Sequence, residues 1–159
     1  MLLEPNYNLE SIYDIDITEL KQAGIKGLFF DLDSTLMKSK SGKFSFQTIQ
    51  FINDLKLNFK LAIITNNKKK NYIEKAKSQI DIPIYAKAAK PNIKVLLKAC
   101  KDLNLQSFEV AMIGDRPLSD ILGGINAGMT TILVDSISKD EESLIVRFAR
   151  FLERLTIKK

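Results

Sequence analysis

The 159-residue sequence contains no histidine, and Cys100 is its single cysteine. Without histidine the chain cannot form a Ser-His-Asp triad, a histidine-ligated zinc site or an imidazole acid–base catalyst. One cysteine excludes an internal disulfide and favours a reducing compartment. Any catalysis must therefore come from carboxylates, lysines and a metal ion.

Long apolar runs are also lacking. No segment approaches the roughly 20 apolar residues of a membrane span, and the first residues, MLLEPNYN, lack the basic and then apolar pattern of a signal peptide. We expect a cytoplasmic protein that is neither exported nor integral to a membrane. The composition, 45% hydrophobic and 27% charged, is typical of a globular protein, and the length predicts a single domain over residues 1–159.

Short β-rich runs alternate with helix-like segments along the chain. The runs are 27–31, 60–65, 82–86, 109–114 and 130–135, and the helical segments lie near 46–57, 68–79, 91–103 and 119–127. Apolar strands separated by helices predict a parallel sheet covered on both faces. The sequence therefore predicts a doubly wound α/β fold of about five strands, with a helical lead-in over 1–26 and an amphipathic helix over 138–159.

Polar side chains follow each of the first four predicted strands. They are Asp31 and Asp33 within GLFFDLDSTLM, Thr65 and Asn66, Lys90 within YAKAAKP, and Asp115 and Asp120. In doubly wound sheets, reactive groups collect at the carboxyl ends of the strands, where the strand order reverses. If the second and third strands lie to one side of the first and the fourth lies to the other, the Asp31 and Asp115 strands are neighbours.

This set of residues favours phosphoryl transfer. Carboxylates from two strand ends, without a histidine or cysteine cluster, form a hard oxygen site suited to Mg²⁺. Two carboxylates beside one metal and one substrate can divide the work, one attacking and the other carrying a proton. With a hydroxyl and a lysine added, the arrangement fits a reaction through an aspartyl phosphate.

Four motifs carry a resemblance to a known superfamily. DLDST at 31–35, Thr65, Lys90 and GDRPLSD at 114–120 match, in order and spacing, those of haloacid dehalogenase-like (HAD) phosphatases. The wider context, SIYDIDITELKQAGIKGLFFDLDSTL, ITNN at 64–67, AKAAKP at 86–91 and GDRPLSDILGGINAGMTTILV at 114–134, resembles the YqeG family of subclass IIIA. The resemblance implies a HAD-like Rossmannoid three-layer sandwich. Related proteins of yeast mitochondria, plants and cyanobacteria are phosphatidylglycerophosphate phosphatases, so the resemblance makes that lipid the leading substrate.

The resemblance also implies roles for the catalytic residues. Asp31 would be the nucleophile that becomes phosphorylated. Asp33 would protonate the leaving alkoxide and then activate the hydrolytic water. Thr65 and the main-chain amide of Asn66 would hold the phosphoryl oxygens, and Lys90 would neutralise Asp31 and the transferring group.

For the metal, the resemblance implies that Mg²⁺ is held by Asp31, the main-chain carbonyl of Asp33 and Asp115, with Asp120 as a further ligand or as a partner of Lys90. An aspartate at position 33 favours a phosphatase over a phosphotransfer pump. Departures from the pattern are small. Arg116 follows the metal-binding aspartate and Ser119 replaces the more usual threonine, and neither changes the expected reaction class.

Three alternatives compete with a lipid phosphatase. One is a soluble phosphatase of a small metabolite or phosphoprotein. Another is a signalling receiver domain, although receivers place the Lys-Pro pair near the chain end, whereas Lys90-Pro91 here precedes Asp115. An idle binding module would be expected to lack one of the groups, and all are present. The spacing between motifs leaves no room for a cap domain, so we expect an open site unless a second subunit covers it.

Positive charge is concentrated in the loops that follow the strands. The net charge is +5, and the loop residues are Lys38, Lys40, Lys43, Lys68, Lys69, Lys70, Lys87, Lys90 and Arg116. This predicts a phosphorylated substrate, with a phospholipid headgroup favoured, and peripheral association with the inner face of an anionic membrane. A merely solvated basic surface is the alternative. Nucleic acid is not expected, because aromatic residues do not interleave with the basic ones.

The C-terminal sequence SLIVRFARFLERLTIKK predicts an amphipathic helix. Its apolar stripe consists of Leu144, Phe148, Phe151, Leu152 and Leu155, with Arg147, Arg150, Arg154 and Lys158 beside it. The pattern fits an interfacial helix. It also fits a final helix that packs its apolar stripe against the sheet of its own domain.

Overall fold

A computed structural model describes residues 2–158 and has a parallel sheet at its centre. The strands are β1 (Tyr7–Leu9), β2 (Gly27–Phe30), β3 (Lys60–Ile64), β4 (Ile84–Tyr85), β5 (Val110–Gly114) and β6 (Thr130–Val134). They lie in the order β1-β6-β5-β2-β3-β4, and all neighbours are parallel. The predicted parallel α/β fold is confirmed, with one strand more than expected.

The helices alternate with the strands. They are α1 (Ile17–Gln22), α2 (Phe46–Leu55), α3 (Lys70–Lys77), α4 (Lys94–Asp102), α5 (Leu122–Asn126) and α6 (Leu144–Arg154). One turn of π-helix, Pro117–Ile121, precedes α5, and short 3₁₀ turns occupy Ile12–Asp14 and Ser107–Glu109. The segment predicted as a helix near 119–127 is therefore a π turn joined to a short α-helix. Such π turns are frequent at functional sites.

Two hydrophobic layers sandwich the sheet, and the alternation of side chains along each strand explains both. In β2, Leu28 and Phe30 point into the layer formed with α1, α2 and α3, whereas Phe29 points into the layer formed with α4. Both faces of a central strand must be apolar when helices cover both sides. The predicted three-layer sandwich is confirmed.

The order of strands places the switch point at β2. β2 pairs with β3 on one side and with β5 on the other, which confirms that the Asp31 and Asp115 strands are neighbours. The main-chain N–H of Asp31 donates to the Ile113 carbonyl at 2.9 Å and extends that pairing by one residue. The carboxyl ends of β2, β3 and β5 therefore meet at one edge, here called the catalytic edge.

Two predictions for the ends of the chain need correction. The lead-in over 1–26 is not only helical, because Tyr7–Leu9 forms β1 and pairs with β6. Three residues are too few for an alternating strand pattern to stand out. The C-terminal helix spans Leu144–Arg154 rather than 138–159, and Ile157 forms an isolated bridge with Leu3. Met1 and Lys159 lie outside the described residues.

Helix α6 is attached to the protein through its polar side. None of its residues is buried, and its large apolar side chains are exposed. Glu153 on its inner side accepts two hydrogen bonds from Arg116, at 2.8 and 2.6 Å. The sequence left two alternatives for this helix. The prediction that its apolar stripe packs against the sheet is therefore wrong.

Nothing in residues 2–158 forms a large cap, because the segments between strands hold only the helices and turns given above. The catalytic edge is thus reachable from solvent. Over the same residues, no helix combines the length and apolar character needed to cross a bilayer.

Candidate active site

The loop after β2 brings two predicted residues, Asp31 and Asp33, to one pocket. Ser34 has a φ of 67° and its N–H donates to the Met37 carbonyl at 2.7 Å, so the chain turns sharply after the two aspartates. The pocket is open, has a volume of about 640 Å³ and is also lined by Thr65 and Lys90. Four of the predicted residues therefore share one solvent-accessible space.

Lys90 is the centre of a buried ionic cluster. Its Nζ atom donates to Oδ1 of Asp31 at 2.9 Å, to Oδ1 of Asp120 at 2.7 Å and to the Ile64 carbonyl at 2.7 Å. A lysine ammonium has three N–H donors, so all of them are used. The predicted contact between Lys90 and Asp31 is present, and Asp120 joins them.

Burial shifts the pKa values of these groups. Desolvation, and then the charges of Asp120 and Asp115, raise the pKa of Asp31 well above its usual value, although Lys90 opposes the shift. Burial also acts to lower the pKa of Lys90, but the carboxylates of Asp120 and Asp31 outweigh it and the pKa is raised. Lys90 therefore stays protonated, and the site favours a further cation beside its carboxylates.

Three aspartates form a group that fits a divalent metal. Asp31, Asp115 and Asp120 each offer a carboxylate oxygen within 4.8 Å of the others. All three side chains are buried, and their oxygens are the hard ligands that Mg²⁺ prefers. Burial, followed by the charge of Asp120, raises the pKa of Asp115, whereas Arg150 lowers it. The carboxylate of Asp33 lies outside this group, and its predicted contribution uses the main-chain carbonyl instead.

The π turn positions Asp120 against the end of β5. A Cβ atom on Gly114 would lie 2.1 Å from Oδ2 of Asp120, so only glycine leaves room for this carboxylate. The same Oδ2 atom accepts the N–H of Arg116 at 3.1 Å. The close approach of Asp120 to Gly114 and its hydrogen bond with Arg116 explain the spacing between the glycine and the second aspartate of GDRPLSD.

Two residues that sequence reasoning missed hold Asp33. The Tyr72 hydroxyl donates to Oδ1, and the Asn67 side-chain amide donates to Oδ2 at 3.1 Å. Burial and then the contact with Asp33 raise the pKa of Tyr72, which keeps its hydroxyl protonated. Asn67 belongs to the ITNN motif, but no pattern in the sequence indicated Tyr72, which lies on α3.

Thr65 and Asn66 follow β3, as predicted. Thr65 is buried at the pocket, and its Oγ1 accepts the Asn67 N–H at 3.1 Å. The Asn66 side chain accepts the Lys90 N–H at 2.7 Å and donates to the Lys90 carbonyl at 3.1 Å. Asn66 therefore positions the backbone of Lys90, a role that sequence reasoning did not assign.

Helix α6 reaches the aspartate group with one side chain. Arg150 donates to Oδ2 of Asp115 and to the carboxylate of Glu142 at 2.8 and 2.9 Å. Oδ1 of Asp115 accepts a hydrogen bond of 2.7 Å from the Thr35 hydroxyl. The sequence could not indicate the Arg150 contact, because it depends on how the C-terminal helix returns to the catalytic edge.

The basic residues of this edge divide into two sets. Lys90 is buried within the site and Arg116 pairs with Glu153, while Lys38 pairs with Glu141 at the rim. The other six are exposed and form no ion pair with any side chain of residues 2–158: Lys40, Lys43, Lys68, Lys69, Lys70 and Lys87. We call these six the rim lysines.

Comparison with known proteins identifies the family. The HAD-hydrolase-like family model matches residues 87–155. "Probable phosphatase YqeG" of Bacillus subtilis (strain 168) is 30% identical over 151 residues, which cover 94% of this chain and 87% of that protein. The chain belongs to the YqeG family. It is a HAD-type phosphatase, as the four motifs indicated.

Two further proteins are similar to this YqeG-family chain. Phosphatidylglycerophosphate phosphatase 1, chloroplastic/mitochondrial, of Arabidopsis thaliana is 30% identical over 164 residues. The match covers 98% of this chain and 47% of the plant protein, so the chain spans about half of that relative. The crystal structure of a putative HAD-like phosphatase from Mesorhizobium loti has a TM-score of 0.53 and 17% identity, with 66% and 69% of the two chains covered. That likeness concerns the fold.

Proposed function

We propose that this YqeG-family chain is a Mg²⁺-dependent phosphomonoester hydrolase that acts through an aspartyl phosphate on Asp31, with phosphatidylglycerophosphate as its substrate. The observation that carries the reaction is the buried cluster in which Lys90 contacts Asp31 and Asp120 within an open pocket. Asp31 is the only one of the three grouped aspartates that lines this pocket among residues 2–158. Of these three, it is therefore the carboxylate that a substrate phosphate can reach.

In the first step, an oxygen of Asp31 attacks phosphorus and the bond from phosphorus to the leaving alkoxide breaks. Lys90, at 2.9 Å from Asp31, neutralises charge on the nucleophile and on the transferring group. Thr65 and the main-chain N–H of Asn66 hold the phosphoryl oxygens. Asp33 acts as the general acid and gives a proton to the alkoxide, which leaves as an alcohol.

In the second step, Asp33 takes a proton from water as the water oxygen attacks phosphorus. The bond between phosphorus and Asp31 breaks, releasing inorganic phosphate and restoring the carboxylate. Tyr72 and Asn67 orient Asp33 for both transfers. Asp31, Asp115, Asp120 and the Asp33 carbonyl would hold Mg²⁺, which when bound neutralises charge on the phosphoryl oxygens.

Two observations support a lipid substrate. The plant relative is named a phosphatidylglycerophosphate phosphatase, and the rim lysines stand beside an uncapped site. A phosphomonoester on a lipid headgroup is anionic and lies at a surface, so an open pocket with basic surroundings suits it. The alternative is a soluble phosphatase acting on a small metabolite or phosphoprotein.

A substrate panel tests both levels of the proposal. Initial rates are measured with Mg²⁺ on phosphatidylglycerophosphate in anionic micelles, sugar phosphates, nucleotides, a phosphopeptide and a generic aryl phosphate. We expect kcat/KM to be highest for the lipid and EDTA to abolish every activity. A large preference for a soluble ester would select the alternative substrate class, and turnover that persists in EDTA would overturn the metal-dependent mechanism.

A further inference from the structure

Helix α6 carries a continuous apolar stripe on the outside of the protein. Its side chains are between 47% and 83% exposed: Leu144, Ile145, Phe148, Phe151, Leu152 and Leu155. The rings of Phe148 and Phe151 stack with centroids 6.5 Å apart. Contiguous large apolar side chains at a protein surface mark a binding surface.

The attachment of α6 fixes this stripe in its outward position. Arg116 forms a two-bond ion pair with Glu153, and Arg154 donates to the Val134 carbonyl at 2.9 Å. Beyond the helix, the Leu3 N–H donates to the Thr156 carbonyl at 2.6 Å. Rotating the apolar stripe inward would break the ion pair of Arg116 with Glu153 and the hydrogen bond of Arg154 to Val134, so the outward orientation belongs to the folded protein.

Helix α6, which carries the stripe, borders the active-site pocket with its other side. Val146 and Arg150 of α6 line the same pocket as Asp31, and so does the rim lysine Lys40. Asn67, which immediately precedes the lysine run 68–70, also lines it. Helix α6 and the unpaired positive charge of Lys40 therefore border one opening.

We propose that the outer face of α6 docks on an anionic lipid bilayer, with Phe148 and Phe151 among the acyl chains and the pocket opening towards the lipid surface. Charge complementarity selects this occupant. Arg147 is exposed on α6 itself, and together with the rim lysines it attracts an anionic surface. A second copy of the chain would bring the same positive charges against one another. The inference deepens the proposed function, but docking requires no turnover.

The absence of tryptophan from the chain makes a direct test possible. A Phe148→Trp variant, with the single indole on the stripe, is titrated with vesicles of phosphatidylglycerol and phosphatidylcholine, and with phosphatidylcholine alone. We expect a blue shift of the emission with the anionic vesicles, quenching by brominated acyl chains, and a much smaller response to neutral vesicles. The matched control is Phe108→Trp, which is also exposed but precedes β5 at the opposite edge of the sheet, and it should show no shift.

A second pair of variants measures the strength of docking. Replacing both Phe148 and Phe151 by Ser should reduce sedimentation with anionic vesicles by at least about tenfold, because two aromatic side chains no longer leave water. Phe108→Ser should sediment like the parent. The absence of a blue shift with anionic vesicles, or an equal shift with neutral ones, would overturn the inference. So would a shift without vesicles that grows with protein concentration, because a second copy would then cover the stripe.

Aryl phosphate turnover, measured on the same preparations, separates this inference from the proposed function. Vesicle binding by a protein that never hydrolyses phosphate esters would support docking and reject the phosphatase mechanism. Hydrolysis of the aryl ester without vesicle binding would support the phosphatase mechanism and reject docking.

Discussion

The charged side chains of the catalytic edge occupy two contrasting environments. Lys90 is buried and contacts two carboxylates, and every buried side-chain polar atom of residues 2–158 has a hydrogen-bond partner. Lys68, Lys69 and Lys70 are exposed and pair with no carboxylate in that part of the chain. Paired, desolvated charges hold a fixed geometry, whereas solvated ones attract a partner from solution over about a Debye length of 8 Å at physiological ionic strength. Changes to the inner set should therefore alter turnover of every substrate, and changes to the rim should alter only surface-bound ones.

The largest effect is expected from Asp31→Asn. The amide is a poor nucleophile, so kcat should fall by at least about 10³-fold on both an aryl phosphate and a micellar lipid. Stopped assays with each substrate measure this, and thermal unfolding checks that the fold is intact. If the variant kept the parent's rate on either substrate, Asp31 would not be the nucleophile.

Asp33→Asn should come next, with a loss of about 10²- to 10⁴-fold, the usual contribution of general acid–base catalysis. Both steps need the proton that Asp33 carries, so the loss should again be equal for soluble and lipid esters. Rapid-quench measurements should show slower formation and slower breakdown of the phosphoenzyme. Full turnover without this carboxylate would remove Asp33 from the mechanism.

The rim is tested by replacing Lys68, Lys69 and Lys70 with Gln. Each basic residue near an anionic surface contributes about 1 kcal/mol, so binding to acidic vesicles should weaken at least tenfold and apparent KM for the lipid should rise. The kcat for an aryl phosphate should stay nearly constant. A control triple, Lys21, Lys56 and Lys101 to Gln, removes equal charge from the edge where strands begin.

Under the docking hypothesis, the Lys68–Lys70 variant should lose vesicle binding and the control triple variant should keep it. Equal losses of vesicle binding would mean that net charge, rather than its placement at the catalytic edge, drives association. Unchanged lipid turnover by the Lys68–Lys70 variant would show that this run has no docking role, while the assignment of the inner cluster would stand.

Much of the inner site was predictable because each part follows an apolar strand. The sequence places Asp31, Thr65 and Asp115 directly after such runs and Lys90 in the loop after β4. Parallel strands that share an edge bring the residues after their carboxyl ends together. The family resemblance left Asp120 as either a metal ligand or a partner of Lys90, and the structure shows the contact with Lys90. These positions depend on the local strand pattern, which is visible in the sequence, and on the strand order, which had to be assumed and which the structure supplies.

Contacts made by helices were not predictable in the same way. Tyr72 reaches Asp33 only because α3 packs beside the loop after β2, and Arg150 reaches Asp115 only because α6 crosses the catalytic edge. The amphipathic pattern of α6 gives an apolar stripe but not the side that faces the protein. Ion pairs between distant segments, such as Arg116 with Glu153, decide that orientation.

The smallest effect is expected from Tyr72→Phe. This variant tests the contrast between the inner cluster and the rim most sharply, because Tyr72 is close to the rim lysines in sequence but contacts the inner site. Tyr72 lies two residues after Lys70, yet its hydroxyl donates to Asp33. Tyr72→Phe removes one hydrogen bond of about 0.5–1.5 kcal/mol while Asn67 still holds the carboxylate, so kcat should fall two- to tenfold on aryl and lipid esters alike, with vesicle binding unchanged. Tyr85→Phe is the matched control, since that hydroxyl contacts Asp102 away from the pocket, and it should leave kcat unchanged.

The pH dependence of the Tyr72→Phe effect follows from the direction of the Tyr72 shift. Burial and the contact with Asp33 raise its pKa above the usual value, so the phenol loses its proton only above about pH 10, the ordinary tyrosine range. The hydroxyl therefore donates at every lower pH. The ratio of parent to variant kcat, measured with the aryl ester between about pH 5 and 9, should be constant. A ratio that falls towards 1 as the pH rises through this range would mean that the phenol ionises there, and the hydrogen bond to Asp33 could not then be the source of the effect.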